Sequence, residues 1–314
     1  MKTLAGYDDV DCSDLRDAYD EIGTLYGKEG LVPGRLEKIG YADKWTFVSA
    51  GEKQCGMAFN FAGEHAVYGT FDPAPLVELR EWIGRDLFSV GRKLVDSGRG
   101  RVLRTLCVAI LNALTRPLAT PEAFTTRNIS ALTPRAYDFV RKEDRVAVVG
   151  YAEFVYDLVQ RAAEVHVFDM RPITELRTLV VESGVEYGPC GVFLHDPEEG
   201  MGFLEEADVL FLTGSTLVND TFKGLLTRAK KARVRGMFGP TAGILPEFLF
   251  AQGVSYITSS RITKPKEGFT LLARRQGARF FDRCTEPFFL MASLRLRTSA
   301  SGLTKAFSPK RKDV

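Results

Sequence analysis

One stretch constrains the fold of this chain more than any other: Arg145 to Pro172, RVAVVGYAEFVYDLVQRAAEVHVFDMRP. An apolar run, Val146 to Val149, ends at Gly150. A helix-like segment follows, and a second apolar run, Val165 to Phe168, ends at Asp169. Strand, tight turn, helix, then strand with an acid at its tip is the opening unit of many nucleotide-binding sheets. The turn does not suit a dinucleotide, however. Gly150 is followed by Tyr151, Ala152, Glu153 and Phe154, so only the first glycine of G-x-G-x-x-G is present. NAD and FAD are therefore not expected.

Strand-like runs continue at Val209–Thr213, Gly236–Phe238 and Ser255–Ile257, with helical stretches between them. Such alternation predicts an α/β domain built on a mostly parallel sheet covered on both faces. The first part of the chain reads differently. Asp11 to Tyr26 has helical periodicity, and strands around Trp45–Ala50 and Gln54–Phe61 flank a hairpin turn at Gly51-Glu52-Lys53. Asp72 and Pro73 read as a helix start whose periodicity continues through Leu76, Leu79, Ile83 and Leu87. Arg101 to Leu114 is apolar nearly all round, which predicts a buried helix. Leu118 to Pro134 is rich in Thr, Pro, Ala and Asn and reads as a junction. The expected division is a smaller α+β domain over 1–125 and the parallel-sheet domain over 126–314.

The apolar share, 45%, and the charged share, 26%, are those of an ordinary globular chain. No apolar signal core opens the sequence and no run is long enough to span a bilayer, so a cytoplasmic chain without membrane contact is expected. Five scattered cysteines without a C-x-x-C pair predict reduced thiols. Charge is uneven. From Arg261 onward there are 13 Lys/Arg against 4 Asp/Glu, so this stretch carries +9 and the rest −7 of the formal +2. Arg274, Arg275, Arg279, Arg283, Arg295 and Arg297 belong to this basic C-terminal extension. It would dock on the acidic body, end as a solvated tail at Ser308 to Val314, or meet a protein partner or second copy. No aromatic-interleaved basic repeat is present, so nucleic acid is not expected.

Parallel sheets bind ligands beyond the carboxyl ends of their strands. At those ends stand Gly150, Asp169, the loop Thr213-Gly-Ser215-Thr216-Leu-Val-Asn219-Asp-Thr221, and Gly239-Pro240-Thr241. Gly150 allows a close turn. Asp169 would accept from a ribose or another hydroxyl, or would cap its loop beside Arg171. The hydroxyls and amide of the Thr213 loop could cap a helix or hold a polar guest. Cys190, His195, Asp196, Glu198 and Glu199 form a metal-capable set. The segment Gly188 to Gly202 nevertheless reads as an acidic surface loop, and the loop reading is the stronger.

These strings, VVGYAEF, VFDMRP, FLTGSTLVNDTF and GMFGPTAGILPEFLFAQGVSYITSSRI, resemble the family described as putative heavy-metal chelation. Trp45-Thr46, Gly56-Met57-Ala58 and LRTLCVAILNAL, ending in Asn112-Ala113, resemble that family's first module. The resemblance extends to about Thr263 and implies a Rossmann-like second domain behind a first domain similar to the N-terminal domain of enolase. It also implies a ligand in the cleft between them, near Trp45, Thr46, Asn112, Gly150, Thr213, Ser215, Thr216, Asn219, Gly239 and Thr241. With Asp169 and Pro240 from the strand tips, these are the candidate site residues. Cys107 departs from the family, whose helix more usually has a glycine there.

Three functions compete. The first is a small-molecule or metal-chelate binding protein, in metal homeostasis, holding a transition-metal ion or its chelate. The second is a transferase or lyase using S-adenosylmethionine in a specialised biosynthetic pathway. The third is a subunit docking a partner through the basic C-terminal region.

Overall fold

The structure is a computed structural model that describes residues 10–292 apart from 43, 52, 63–78, 134–136, 174–175, 177–191, 198–199 and 275–281. Two sheets organise it. The smaller is antiparallel, in the order β1 (Lys38–Ala42), β2 (Trp45–Ser49), β3 (Cys55–Phe59). The larger contains β4 (Ile129–Ala131), β5 (Arg145–Val149), β6 (Glu164–Phe168), β7 (Val192–His195), β8 (Val209–Thr213), β9 (Val234–Phe238), β10 (Tyr256–Ile262) and β11 (Thr285–Ala292). Its order is β4-β11-β10-β9-β8-β5-β6-β7. From β10 to β7 every neighbouring pair is parallel. The chain therefore runs outward from β5 to β7, returns to the other side of β5, and runs outward again. That reversal between β5 and β8 is where doubly wound sheets open a crevice.

The parallel strands follow from composition. Val146 and Val148 are fully buried, as are Val165, Val167, Val209 and Phe211, and they meet the same core on one face of the sheet. Strands buried on both faces need such unbroken apolar runs.

The smaller sheet is backed by α1 (Arg16–Glu29), α2 (Leu87–Ser97) and α3 (Arg101–Thr115). Every residue of α3 from Arg104 to Thr115 is buried, as its all-round apolar sequence predicts. The helix lies directly on β3 because Gly56 has no side chain: a Cβ there would stand 2.0 Å from the Ala109 carbonyl oxygen. One contiguous apolar core runs from Leu15 and Ile22 through Ile110 to Leu212 and Leu249. The two sheets are thus packed on shared interior, not joined by a loose hinge.

Several expectations are corrected. The first helix begins with a 3-10 turn at Ser13–Leu15 and runs on to Glu29, where Gly30 takes the left-handed conformation that ends it. Asp72, Pro73 and Leu76 lie outside the described residues. Leu79 falls in a 3-10 turn, and the helix containing Leu87 starts afresh from Asp86, whose carboxylate accepts from Ser89 N. The stretch 118–134 contains α4 (Pro121–Thr126) and β4, which pairs with β11. The Gly188–Gly202 segment contains β7, and Thr285–Ala292 within the basic stretch is β11, inserted between β10 and β4. Ser255 precedes its strand, and the helix before it is α8 (Pro246–Ala251).

Remaining helices are α5 (Val155–Val159), α6 (Met201–Glu206), α7 (Phe222–Arg228) and α9 (Pro265–Ala273). Cys12, Cys55, Cys107 and Cys284 are buried and form no disulfide with one another; Cys190 lies outside the described residues. A hydrogen bond with Cys12 and complete burial hold the Cys107 thiol well above its usual pKa. No described helix is long and apolar enough to cross a membrane.

Candidate functional site

A cavity of about 440 Å³ opens at the β5–β8 reversal, between the strand tips of the large sheet and the small sheet above them. Gly150 and Tyr151 reach it from β5, Phe168 to Arg171 from β6, the Thr213 loop from β8, and Gly239 to Thr241 from β9. Trp45, Phe59 and Phe61 enter from the small sheet and its following turn. Trp45 and Phe59 are cross-strand neighbours with rings 5.5 Å apart, and Phe61 meets Phe59 at 5.1 Å. One wall is therefore aromatic and the facing rim is oxygen-rich.

Local backbone geometry explains the floor. Gly150 has φ +90, and a Cβ on it would stand 2.9 Å from the Thr213 side chain, so β5 and β8 tips touch. Gly214 and Ala242 bring the two 3-10 turns, Gly214–Leu217 and Pro240–Ala242, into contact: a Cβ on Gly214 would lie 2.3 Å from Ala242 N. Thr241 Oγ1 accepts from Phe59 N–H at 2.9 Å, which joins this floor to the small sheet. Lys44, Phe61 and Asp220 hold φ values of 69, 52 and 56 degrees, which non-glycine residues rarely adopt. Lys44 and Phe61 line the cavity, and Asp220 stands between its lining residues Asn219 and Thr221. Such strain, on the order of 1 kcal/mol each, gathers at ligand sites.

The rim's hydrogen bonds have a direction. Thr216 Oγ1 donates to the Thr213 carbonyl at 2.7 Å, and Thr221 Oγ1 donates to Asn219 Oδ1 at 2.7 Å. Both hydroxyl protons are thereby engaged, and what these oxygens can offer a guest is lone pairs. Burial and the neighbouring Tyr156 hydroxyl push the Tyr151 phenol above its usual pKa, so it stays neutral.

Asp169 lines the cavity with its carboxylate already satisfied. Oδ1 accepts from Arg171 N and Nε, both at 2.9 Å; Oδ2 accepts from Tyr151 N at 2.7 Å and Arg171 Nη2 at 2.8 Å. Four bonds fill a carboxylate's acceptor capacity. The loop-capping alternative describes Asp169, and the ribose-accepting one does not.

Of the candidate residues, Trp45, Gly150, Asp169, Thr213, Ser215, Thr216, Asn219, Gly239, Pro240 and Thr241 meet in this cavity. Thr46 and Asn112 do not. Thr46 is fully buried behind the sheet. Asn112 Nδ2 instead donates to Met57 O at 2.6 Å and Pro240 O at 3.3 Å, bridging α3 to the floor from below. Sequence reasoning missed Lys44, Phe59, Phe61, Met170, Met201 and Leu204. Phe59 was recoverable from hairpin pairing with Trp45; α6, which supplies Met201 and Leu204, begins at the end of the Gly188–Gly202 segment that reads as loop. Of the metal-capable set, Cys190, Glu198 and Glu199 lie outside the described residues, and no cluster of three such ligands occurs among the described ones.

Residues 136–289 match the model of the family DUF364, described as putative heavy-metal chelation. An uncharacterised protein of Methanocaldococcus jannaschii is 28% identical over 221 residues, covering 68% of this chain and 72% of that one. Two crystal structures of DUF364 proteins of unknown function share the fold. That from Pyrococcus horikoshii has a TM-score of 0.62 at 20% identity, covering 88% of this chain and 99% of its own. That from Desulfitobacterium hafniense has 0.61 at 15%, covering 88% and 98%. Residues 136–289 thus match the DUF364 family, and the chain shares the fold of two proteins of that family.

Proposed function

We propose that this protein binds a small metal chelate in the cavity at the β5–β8 reversal, as a metal-handling protein. The observation that carries this reading is the two-sided lining: Trp45, Phe59 and Phe61 on one wall, Thr216 and Thr221 oxygens with engaged protons on the other. A chelate has an apolar or conjugated ligand skeleton and, on its metal-bound water or hydroxyl, hydrogen-bond donors. The aromatic wall suits the first and the acceptor rim suits the second. The family description agrees with it. The S-adenosylmethionine reading loses its main support, because the Asp169 oxygens that a ribose would need are taken by Arg171 and Tyr151.

Titration calorimetry on the full chain tests it, with ferric citrate, nickel(II) bis-histidine and S-adenosylmethionine as probes. Heat from at least one chelate, lost in a Ser215→Phe variant that fills the cavity, is the expected result. No heat from either chelate, or heat unchanged in Ser215→Phe, overturns the reading; heat from S-adenosylmethionine alone replaces it with the second.

A further inference from the structure

A different pair of residues, outside the cavity, meets in a way the strand pairing alone does not require. On the outer edge of the large sheet His166 of β6 and His195 of β7 face each other, Nδ1 to Nε2, at 2.9 Å. Their rings are 14° from parallel with centroids 5.1 Å apart. Two imidazoles can have that centroid distance and that nitrogen contact together only when joined edge to edge, nearly in one plane. Each in-plane lone pair direction therefore points at the space between the two nitrogens.

The other nitrogen of His166, Nε2, stands 3.3 Å from Glu164 Oε2. A carboxylate there orients the ring, holding the proton on Nε2 and leaving Nδ1 as a lone pair. This is the outer-sphere arrangement of metal-bound histidines. Around the pair stand aromatic rings: Phe203 at 4.3 Å from His166 and 4.9 Å from His195, Phe193 at 4.9 Å from His166, and Phe168 at 5.1 Å from His195. The His166 side chain is 6% exposed, whereas Phe193 and Phe203 are each nearly half exposed, so the pair lies just beneath the surface rings.

We propose that His166 and His195 form a two-nitrogen site for monovalent copper, with Glu164 as its outer carboxylate. The choice of ion follows from the donors. Two imidazole nitrogens facing each other nearly in line, among phenyl rings, match a linear two-nitrogen set and not the tetrahedral four that a dication such as zinc takes. A d10 monovalent ion is content with two nitrogens in line, carries half the charge into an apolar site, and gains from ring faces. Metal–nitrogen bonds of about 2 Å require the nitrogens to part by roughly 1 Å, shared between two side chains. The ion takes the place of the proton between the rings; His195 then carries its proton on Nδ1, and no net proton is released.

The test is an anaerobic titration of the full chain with Cu(I) in competition with bathocuproine disulfonate, followed by X-ray absorption on the loaded protein. One equivalent bound with a two-nitrogen, two-coordinate spectrum is expected. His195→Gln should abolish it, and Glu164→Gln should weaken it about tenfold. Should His166→Leu fail to fold, His195→Gln on the edge strand gives the same readout. Ser215→Phe should leave copper uptake intact, which separates this site from the cavity. No uptake against the chelator, or equal uptake by His195→Gln, overturns the proposal, and the pair then serves only to fasten β7 to β6.

Discussion

Arg104 Nε donates to the Leu217 carbonyl at 2.7 Å, tying the central buried helix to the turn that floors the cavity. The same guanidinium grips Asp14 at 2.6 and 2.9 Å and reaches Asp220 at 3.2 Å, with only 1% of its side chain exposed. Burial alone would lower the Arg104 pKa, but the Asp14 carboxylate holds it above the ordinary value. Arg104→Met should cost about 3 kcal/mol, because Asp14 and the Leu217 carbonyl lose their donor inside the fold. Arg104→Lys should recover little, since a compact ammonium lacks the wide planar fork that spans Leu217, Asp14 and Asp220. Urea unfolding of both variants measures this.

Gly214→Ala should destabilise by about 1–3 kcal/mol, because the new methyl meets backbone at Ala242 N and Thr241 C and must force two turns apart. Gly239→Ala is the control. It has φ +90 but nothing within 4 Å of its Cβ position, so only backbone strain opposes it. Thermal melts should show the larger fall in Gly214→Ala, and a chelate bound in the cavity should be lost from that variant first.

Asp169→Asn should lower stability, by about 1–3 kcal/mol, since an amide cannot accept four bonds or neutralise Arg171. A group reserved for a guest would behave otherwise, with stability unchanged and binding alone impaired. Guanidinium denaturation distinguishes the two.

Asp86 sets a pH dependence. Partial burial would raise its pKa, but hydrogen bonds from the Ser89 side chain and backbone hold it below the ordinary aspartate value of 3.8. A depressed carboxylate contributes stability above its unfolded pKa and loses it as pH falls through the folded one. Asp86→Ala should therefore cost about 1 kcal/mol at pH 7, as for a helix N-cap, and progressively less below pH of about 4. Denaturant melts of both proteins at pH 7 and pH 3 give the difference directly.

How far the sequence disclosed all this varies from element to element. The buried parallel strands were readable because Val146–Val149 and Val165–Phe168 are unbroken apolar runs, each ended by a residue suited to a turn. β7 was not: Val192–His195 is a short edge strand, half-buried, beside acids and glycines, whose apolar run of Val192 to Leu194 is too brief to mark a strand. β11 was hidden by its basic neighbours, although its partner β10 fixes it by backbone bonds along seven residue pairs. At the cavity, strand tips carried the reading, because topology alone sends Gly150, Thr213 and Gly239 to one edge. Thr46 was a misreading that strand geometry could have corrected. Successive residues of a strand point to opposite faces, so Trp45 and Thr46 cannot both look into one cavity. Asn112 was unreadable, since its amide turns to carbonyls some 55 and 128 positions away.

The bond from Phe59 N–H to Thr241 fixes a limit on what the cavity can admit. Parting its walls would leave that N–H, and the Arg104 contact to Leu217 beside it, without an acceptor. The cavity is in this sense a gauge of set bore. A guest of the kind proposed would meet walls that these two bonds hold in place, and its own shape must answer to theirs.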